Sequence, residues 1–140
     1  MGMLECVAAL VLRDGTLLAE ERKLTKTVMP GAIALPGGHV ERGEEVEDAL
    51  RRELQEELGI IPIDPQYICT LLHRSKEFRK LHYFAVTRWE GSIGSHEAAS
   101  LRWLPMTESR GLDLEVDRLA VAEYCRIYRD AGKSGEEGLR

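Results

Sequence analysis

The chain has 140 residues, 44% of them hydrophobic and 31% charged, which is typical of one globular domain and excludes wholesale disorder. Its formal net charge of −5 argues against nonspecific binding to nucleic acid, because such binding requires a basic surface. No apolar run approaches the roughly 20 residues of a membrane-spanning helix, and the N-terminus lacks the features of a signal peptide. The three widely spaced cysteines (Cys6, Cys69 and Cys125) predict free thiols in a reducing cytoplasm.

The N-terminal half predicts short strands followed by one strong helix. In chain order, strands are expected at 4–12, 16–22 and 33–35, and a helix at 44–58. Asp14-Gly15 is a hairpin signal between the first two strands. Pro36-Gly37-Gly38 is expected to end the third strand, and Gly59 to cap the helix at its C-terminus.

The C-terminal half predicts more strands and a closing helix. Strands are expected at 66–74, 81–89 and 101–105, with a turn at Glu90-Gly91 and a helix at 115–130. This order predicts an α/β layered domain over residues 1–130 with a mixed or antiparallel sheet. Residues 131–140 have nothing to bury, so we expect a fraying tail.

The first helix carries carboxylates on the face that should be buried. Its apolar face is made of five residues, Val46, Ala49, Leu50, Leu54 and Leu58. On a helical projection Glu53 and Glu57 fall within that apolar arc and Glu56 falls on its edge, whereas no basic residue of the helix falls within it. A solvated acidic face should lie opposite the leucines, not among them, and Glu45, Glu47 and Asp48 are interpreted as solvated residues.

Buried charges are paired or coordinate metals, so this arrangement favours a divalent-cation site over a solvated face. Carboxylate oxygens without histidine or thiolate favour a hard ion, Mg²⁺, with Mn²⁺ a plausible substitute. Directly before the helix, Gly37 and Gly38 allow the backbone to approach a ligand or metal closely.

These residues together resemble the Nudix box at every defined position. The matching positions are Gly38, Glu44, Arg52-Glu53-Leu54, Glu56-Glu57 and Gly59-Ile60. The resemblance extends to flanking segments and covers about residues 4–128. The flanking matches are Leu17-Leu18, Arg22, residues 33–36, Trp89-Glu90-Gly91, Glu97 and residues 101–105, the last three of which resemble a MutT-type member.

The resemblance implies an α/β/α Nudix sandwich that uses Mg²⁺ to hydrolyse a nucleoside diphosphate linked to another moiety. It implies that the Gly37 carbonyl and the carboxylates of Glu53, Glu56 and Glu57 bind metal, with Glu97 as a further carboxylate from a distal loop. Glu90 and Glu108 are the competing candidates for that distal role. We expect the loop to bring Glu97 towards the N-terminal half of the helix.

Catalytic and substrate-binding roles are implied in the same way. Glu53 and Glu97 are the two candidates for general base, and Arg52 resembles an arginine that orients a neighbouring glutamate. Arg22, with Lys23 beside it, resembles a phosphate-contacting residue, although an exposed charge at a strand end is an equally good interpretation. Gly38 is expected to contact the substrate, and Glu44 to cap or steady the helix and not to bind metal.

The leading functional prediction is a pyrophosphohydrolase that cleaves a nucleoside triphosphate, ordinary or modified, to a monophosphate and pyrophosphate. The alternative is an ADP-ribose or other nucleotide-sugar pyrophosphatase, but residues 72–75 lack the proline that such enzymes often carry. A non-catalytic nucleotide-sensing module is disfavoured because the box glutamates are retained. The expected partner is a small nucleotide, with no nucleic acid and no membrane, and the family often forms homodimers.

Overall fold

The computed structural model describes residues 3–26, 29–74 and 76–129. Within these ranges the strands are β1 Leu4–Arg13, β2 Thr16–Glu21, β3 Ile33–Ala34, β4 Gly37–His39, β5 Ile61–Pro62, β6 Gln66–Arg74, β7 Phe78–Val86, β8 Trp89–Glu90 and β9 Ser100–Pro105. The helices are α1 Val46–Leu58 and α2 Glu115–Tyr124, and a 3₁₀ segment spans Met106–Gly111. The predicted tail at 131–140 and the end of the second predicted helix lie outside the described residues.

The main sheet is mixed, as predicted. Five of its strands follow the order β3-β2-β1-β7-β6. Strand β9 also pairs with β2, and the short strand β4 also pairs with β1. Strands β1 and β7 run parallel, from Leu4 opposite Arg79 to Val11 opposite Val86, whereas the other pairs are antiparallel. A separate two-stranded sheet joins β5 to β8.

The two α helices cover opposite faces of the main sheet, which confirms the α/β/α sandwich. Alternate residues of β1 point to opposite faces. Val7, Ala9 and Val11 pack with the α1 leucines in one apolar cluster. Ala8 and Leu10 pack with α2 in the other. None of the helices in the described part of the chain is long and apolar enough to cross a membrane.

Three predicted boundaries were wrong, and one short strand was missed. Strand β3 ends before Pro36 as predicted, but residues 37–39 form the separate strand β4 against β1. Gly37 fits there because it has no Cβ: one placed there would lie 2.0 Å from the Val7 carbonyl oxygen. Helix α1 begins at Val46 with Glu45 as its N-cap. The strand predicted at 81–89 instead spans Phe78–Val86, and α2 passes into a π-helical turn after Tyr124.

A buried carboxylate ties α2 to the sheet. Asp117 is only 2% exposed. The Tyr83 hydroxyl donates to its Oδ1 at 2.8 Å, and the Leu35 amide donates to its Oδ2 at 3.1 Å. These bonds fix the backbone that leads into Gly37 and Gly38, so they hold the loop before α1 against the sheet.

The structure agrees with the prediction that the cysteines form no disulfide with one another. The three cysteines all lie in the described ranges and none forms a disulfide; Cys6 is buried, and Cys69 and Cys125 are half-buried. Burial raises the pKa of the Cys6 and Cys69 thiols, so both favour the protonated form.

Candidate metal and active site

Four carboxylates from three separate elements lie near enough to influence one another beside the C-terminal half of α1. Glu53 and Glu57 come from α1, Glu20 from β2, and Glu97 from the loop before β9. The charges of Glu53 and Glu97 each raise the pKa of both Glu20 and Glu57. The helical projection correctly placed Glu57 inside and Glu56 at the edge, because the Glu57 residue is 9% exposed and the Glu56 side chain is 50% exposed.

Glu57 is the most strongly perturbed group in this cluster. Its Oε2 accepts a hydrogen bond of 3.0 Å from the Gly37 amide, so helix α1 and strand β4 meet at this carboxylate. Burial is the largest cause that raises its pKa, and the neighbouring charges of Glu20, Glu53 and Glu97 raise it further. The site therefore holds more negative charge than it can stabilise without added cations or protons.

Glu53 lies directly against Gly38. A Cβ on Gly38 would fall 2.2 to 2.4 Å from the Glu53 carboxylate atoms. Burial raises the pKa of Glu53, while hydrogen bonding to Arg52 opposes that shift. The missing side chain at Gly38 thus leaves the space that the Glu53 carboxylate fills.

We expect Gly38→Ala to reduce turnover by about 10²-fold, because the new methyl group must displace the Glu53 carboxylate and misplaced catalytic groups lose activity on that scale. Gly111→Ala is a suitable control, since its Cβ would make only ordinary contact, at 3.4 Å, with the Leu104 side chain. Steady-state kinetics on the two variants, with circular dichroism to verify folding, tests this prediction. Normal turnover in Gly38→Ala would show that the position of Glu53 is unimportant.

Arg52 links the loop before α1 to the acidic face of the helix. It binds the Glu44 carboxylate in bidentate fashion, with Nε to Oε2 at 2.8 Å and Nη2 to Oε1 at 3.0 Å. This pairing is the main reason that the pKa of Glu44 falls to about 2. Arg52 Nη1 also donates to Glu53 at 3.0 Å and to Glu56 at 3.3 Å.

The Arg52 contacts agree with the expectation that this arginine orients a neighbouring glutamate. The backbone position of Arg52 lies outside the acidic arc, but its long side chain folds back over Glu53 and Glu56. Glu44 does not cap the helix, because α1 has no side-chain hydrogen bond at its N-cap. Instead, Glu44 accepts a bond from the Glu41 amide at 3.0 Å and holds Arg52 in place.

Backbone hydrogen bonds pin the Glu97 loop at both ends. The Gly94 amide donates to the Leu58 carbonyl and the His96 amide to the Glu57 carbonyl, both at 3.0 Å. On the other side of Glu97, the Ala99 amide donates to the Glu21 carbonyl at 2.9 Å. The loop therefore lies at the C-terminal end of α1, not towards its N-terminal half as expected, and Glu97 sits between α1 and β2.

The competing glutamates lie elsewhere. Glu90 belongs to β8 and pairs with Ile61 of β5, and Glu108 belongs to the 3₁₀ segment after β9. Neither is among the charges that shift the pKa of Glu57, whereas Glu97 is. Arg22 follows the end of β2, where its charge lowers the pKa of Glu20, and Lys23 is exposed at the start of the next loop.

Sequence reasoning missed Glu20. This residue is 6% exposed and lies on the α1 side of β2. The signal was available, because Leu18 and Glu20 are two residues apart in a strand and must share a face. An inward-facing glutamate beside a buried leucine is the same signal that identified Glu53 and Glu57 on the helix.

The chemistry of these donors fits a hard divalent cation, although the side chains are not yet arranged around one. Within the described ranges, no three His, Cys, Asp or Glu side chains converge closely enough to hold a metal ion as they stand. Arg52 Nη1 contacts both carboxylate oxygens of Glu56, so this side chain would have to turn towards an ion. Oxygen-only donors of this charge suit Mg²⁺ or Mn²⁺.

Comparison with known proteins identifies the family. The family model for the NUDIX domain matches residues 4–124, so the chain belongs to the Nudix family. Its relatives include the CTP pyrophosphohydrolase of Escherichia coli K12, 34% identical over 132 residues that cover 94% of this chain and 97% of the relative. They also include the 8-oxo-dGTP diphosphatase of the same strain, 29% identical over 110 residues that cover 76% of this chain and 83% of the relative.

A solved structure agrees with the sequence relatives. The crystal structure of a MutT Nudix hydrolase from Burkholderia pseudomallei superimposes with a TM-score of 0.78 at 26% identity, covering 88% of this chain and 98% of that chain. The protein is thus a Nudix hydrolase, an enzyme that acts on phosphoric anhydride bonds.

Proposed function

We propose that the protein is a Mg²⁺-dependent pyrophosphohydrolase that cleaves a nucleoside triphosphate, ordinary or modified, to a monophosphate and pyrophosphate. The observation that carries the proposal is the contact of Glu57 with the Gly37 amide and of Glu53 with Gly38, together with the charge of Glu97, which acts on both carboxylates. The substrates named for the two relatives, CTP and 8-oxo-dGTP, support a triphosphate as substrate.

The carboxylates of Glu53, Glu56 and Glu57 and the Gly37 carbonyl would hold Mg²⁺, with Glu97 added from its loop. When bound, Mg²⁺ neutralises phosphate charge and acidifies water, which makes attack on an anionic substrate feasible. Glu53 and Glu97 are the two candidates that accept the proton from the attacking water. Arg52 positions Glu53 through its 3.0 Å hydrogen bond.

Arg22, Lys23 and the Gly38 backbone would contact the substrate phosphates. The charge of Arg22 already acts on Glu20, so its guanidinium lies near the carboxylate cluster. Lys23 is exposed at the start of the loop that follows β2, next to Arg22 in the sequence. Cationic side chains here offset the repulsion between an acidic site and an anionic substrate.

Cytoplasmic location and homodimer formation are also proposals. The free thiols of Cys6 and Cys69 support a reducing compartment. Sedimentation velocity at micromolar concentration tests the dimer, and a single species at the 15.8 kDa monomer mass would contradict it.

Addition of Mg²⁺ is expected to raise the melting temperature of the wild-type protein more than that of Glu57→Gln. A ligand that binds only the folded state stabilises it by mass action, by about 2.7 kcal/mol at a concentration one hundred times its Kd. Thermal melts in EDTA and in excess Mg²⁺ measure the two shifts. Equal shifts in the two proteins would mean that the ion binds somewhere other than Glu57.

A nucleotide panel tests the proposed reaction. The enzyme is incubated with ordinary and oxidised nucleoside triphosphates and with ADP-ribose, in Mg²⁺ or in EDTA, and the products are identified by ³¹P NMR. Monophosphate and pyrophosphate formed only with Mg²⁺ support the proposal. Cleavage of ADP-ribose alone would favour the nucleotide-sugar alternative, and no cleavage of any compound would favour a sensing module.

A further inference from the structure

The inward-facing glutamate of β2 has a buried oxygen without a partner. Glu20 is 94% buried, since its residue exposure is 6%. Within the described part of the chain, no hydrogen-bond partner is found for its Oε2. A buried carboxylate oxygen in this condition is unusual, because nearly all buried polar groups are hydrogen-bonded.

Strand alternation places the Glu20 carboxylate on the face of the sheet that packs against α1. Leu18, two residues earlier, packs in the apolar cluster of α1, so Glu20 projects from the same face. The next residue, Glu21, projects to the other face, where it accepts hydrogen bonds of 3.0 Å from Ser100 Oγ and Arg102 Nη2. The Glu21 carboxylate therefore has hydrogen-bond donors on its face of the sheet, whereas Glu20 Oε2 on the opposite face has none among the described residues.

The immediate neighbours of Glu20 are themselves acidic. Its carboxylate lies beside that of Glu57, and the charges of Glu53 and Glu97 act on it. A hydrogen bond with Glu57 and the charge of Arg22 offset only part of the rise in the Glu20 pKa that burial causes. Such a carboxylate is stabilised either by sharing a proton with Glu57 or by binding a cation.

We propose that Glu20 is an additional carboxylate ligand of the divalent-cation site, supplied by β2 from the side opposite the α1 ligands. The inference rests on the proposed function only in requiring that the cation site exists. A cation between β2 and α1 gives Glu20 Oε2 the partner that it lacks. It also brings together charges from two elements that otherwise repel each other.

Binding of Mn²⁺ to the substrate-free protein tests this directly and needs no activity assay. Free Mn²⁺ is followed by electron paramagnetic resonance during titration of wild type, Glu20→Gln and Glu21→Gln. We expect Glu20→Gln to weaken binding by about 10–100-fold, the range for losing a group that supports a metal site. Glu21→Gln removes the same charge one residue away on the opposite face and should bind as wild type does.

Three outcomes would separate the possibilities. Wild-type affinity in Glu20→Gln would overturn the inference and favour a proton shared with Glu57, because glutamine can replace a protonated carboxyl. Equal weakening in Glu21→Gln would overturn it too, by showing a general charge effect. Absence of Mn²⁺ binding to the wild type would refute the cation site itself.

A second variant keeps the test valid if Glu20→Gln does not fold, as judged by circular dichroism. Glu20→Asp keeps the charge but withdraws the carboxylate by one methylene. Weaker Mn²⁺ binding in a folded Glu20→Asp protein supports a ligand role. Unchanged binding would contradict it.

Discussion

Glu57→Gln is expected to lower kcat by about 10³-fold or more, the scale for removing a positioned charge stabiliser from an active site, and yet to stabilise the metal-free protein. Glutamine can still accept the hydrogen bond from the Gly37 amide that now goes to Glu57 Oε2. It removes a charge that is buried among Glu20, Glu53 and Glu97. The same substitution should therefore separate folding from function.

The stabilisation should depend on pH in a defined direction. The folded-state pKa of Glu57 is raised, so the contribution of this residue to wild-type stability is fully present below the ordinary carboxyl pKa of 4.5. That contribution is lost as the pH rises towards the raised pKa. The advantage of Glu57→Gln should be absent near pH 4 and reach at least about 1–2 kcal/mol at pH 8, since each unit of pKa shift is worth about 1.4 kcal/mol.

Chemical denaturation in EDTA at the two pH values measures this advantage. Glu47→Gln, in the exposed first turn of α1, is the matched control and should retain turnover. A Glu57→Gln protein that is destabilised at pH 8, or that keeps near wild-type activity in Mg²⁺, would mean that Glu57 has been assigned the wrong role.

Glu97→Gln is expected to lower kcat by about 10²–10⁴-fold, the range for losing a general base or a charge stabiliser. The backbone bonds of His96 to α1 and of Ala99 to β2 place Glu97 beside the helix carboxylates. The KM for the nucleotide should change less, because the phosphate contacts proposed for Arg22 and Lys23 are retained.

Glu90→Gln and Glu108→Gln serve as controls for Glu97→Gln, because these two glutamates lie on β8 and in the 3₁₀ segment. Steady-state kinetics should show near-normal kcat in both. A silent Glu97→Gln together with a severe loss in either control would transfer the distal role to that residue, while leaving the α1 site in place.

The acidic face of α1 could be predicted because a helix imposes a strict geometry on its side chains. Glu53 and Glu57 fall among the leucines whatever the rest of the fold does. The contact between Arg52 and Glu53 could not be read from the same projection. A projection shows where a backbone position points, and Arg52 has a side chain long enough to return across the helix surface.

Other features depend on contacts between residues far apart in sequence. The parallel pairing of β1 with β7 joins residues about 75 positions apart, and no local pattern specifies it. The hydrogen bond between Tyr83 and Asp117 also requires the assembled fold, since the sequence around either residue does not indicate the other as its partner. The position of the Glu97 loop at the C-terminal end of α1 has the same origin.

Anomalous diffraction from crystals grown with Mn²⁺ would test the central claim most directly, because it locates the ion and its ligands together. The account predicts anomalous peaks bonded to the Gly37 carbonyl and to the carboxylates of Glu53, Glu56 and Glu57, with Arg52 displaced from Glu56. Peaks confined to other surfaces, with Arg52 still bound to both Glu53 and Glu56, would contradict it.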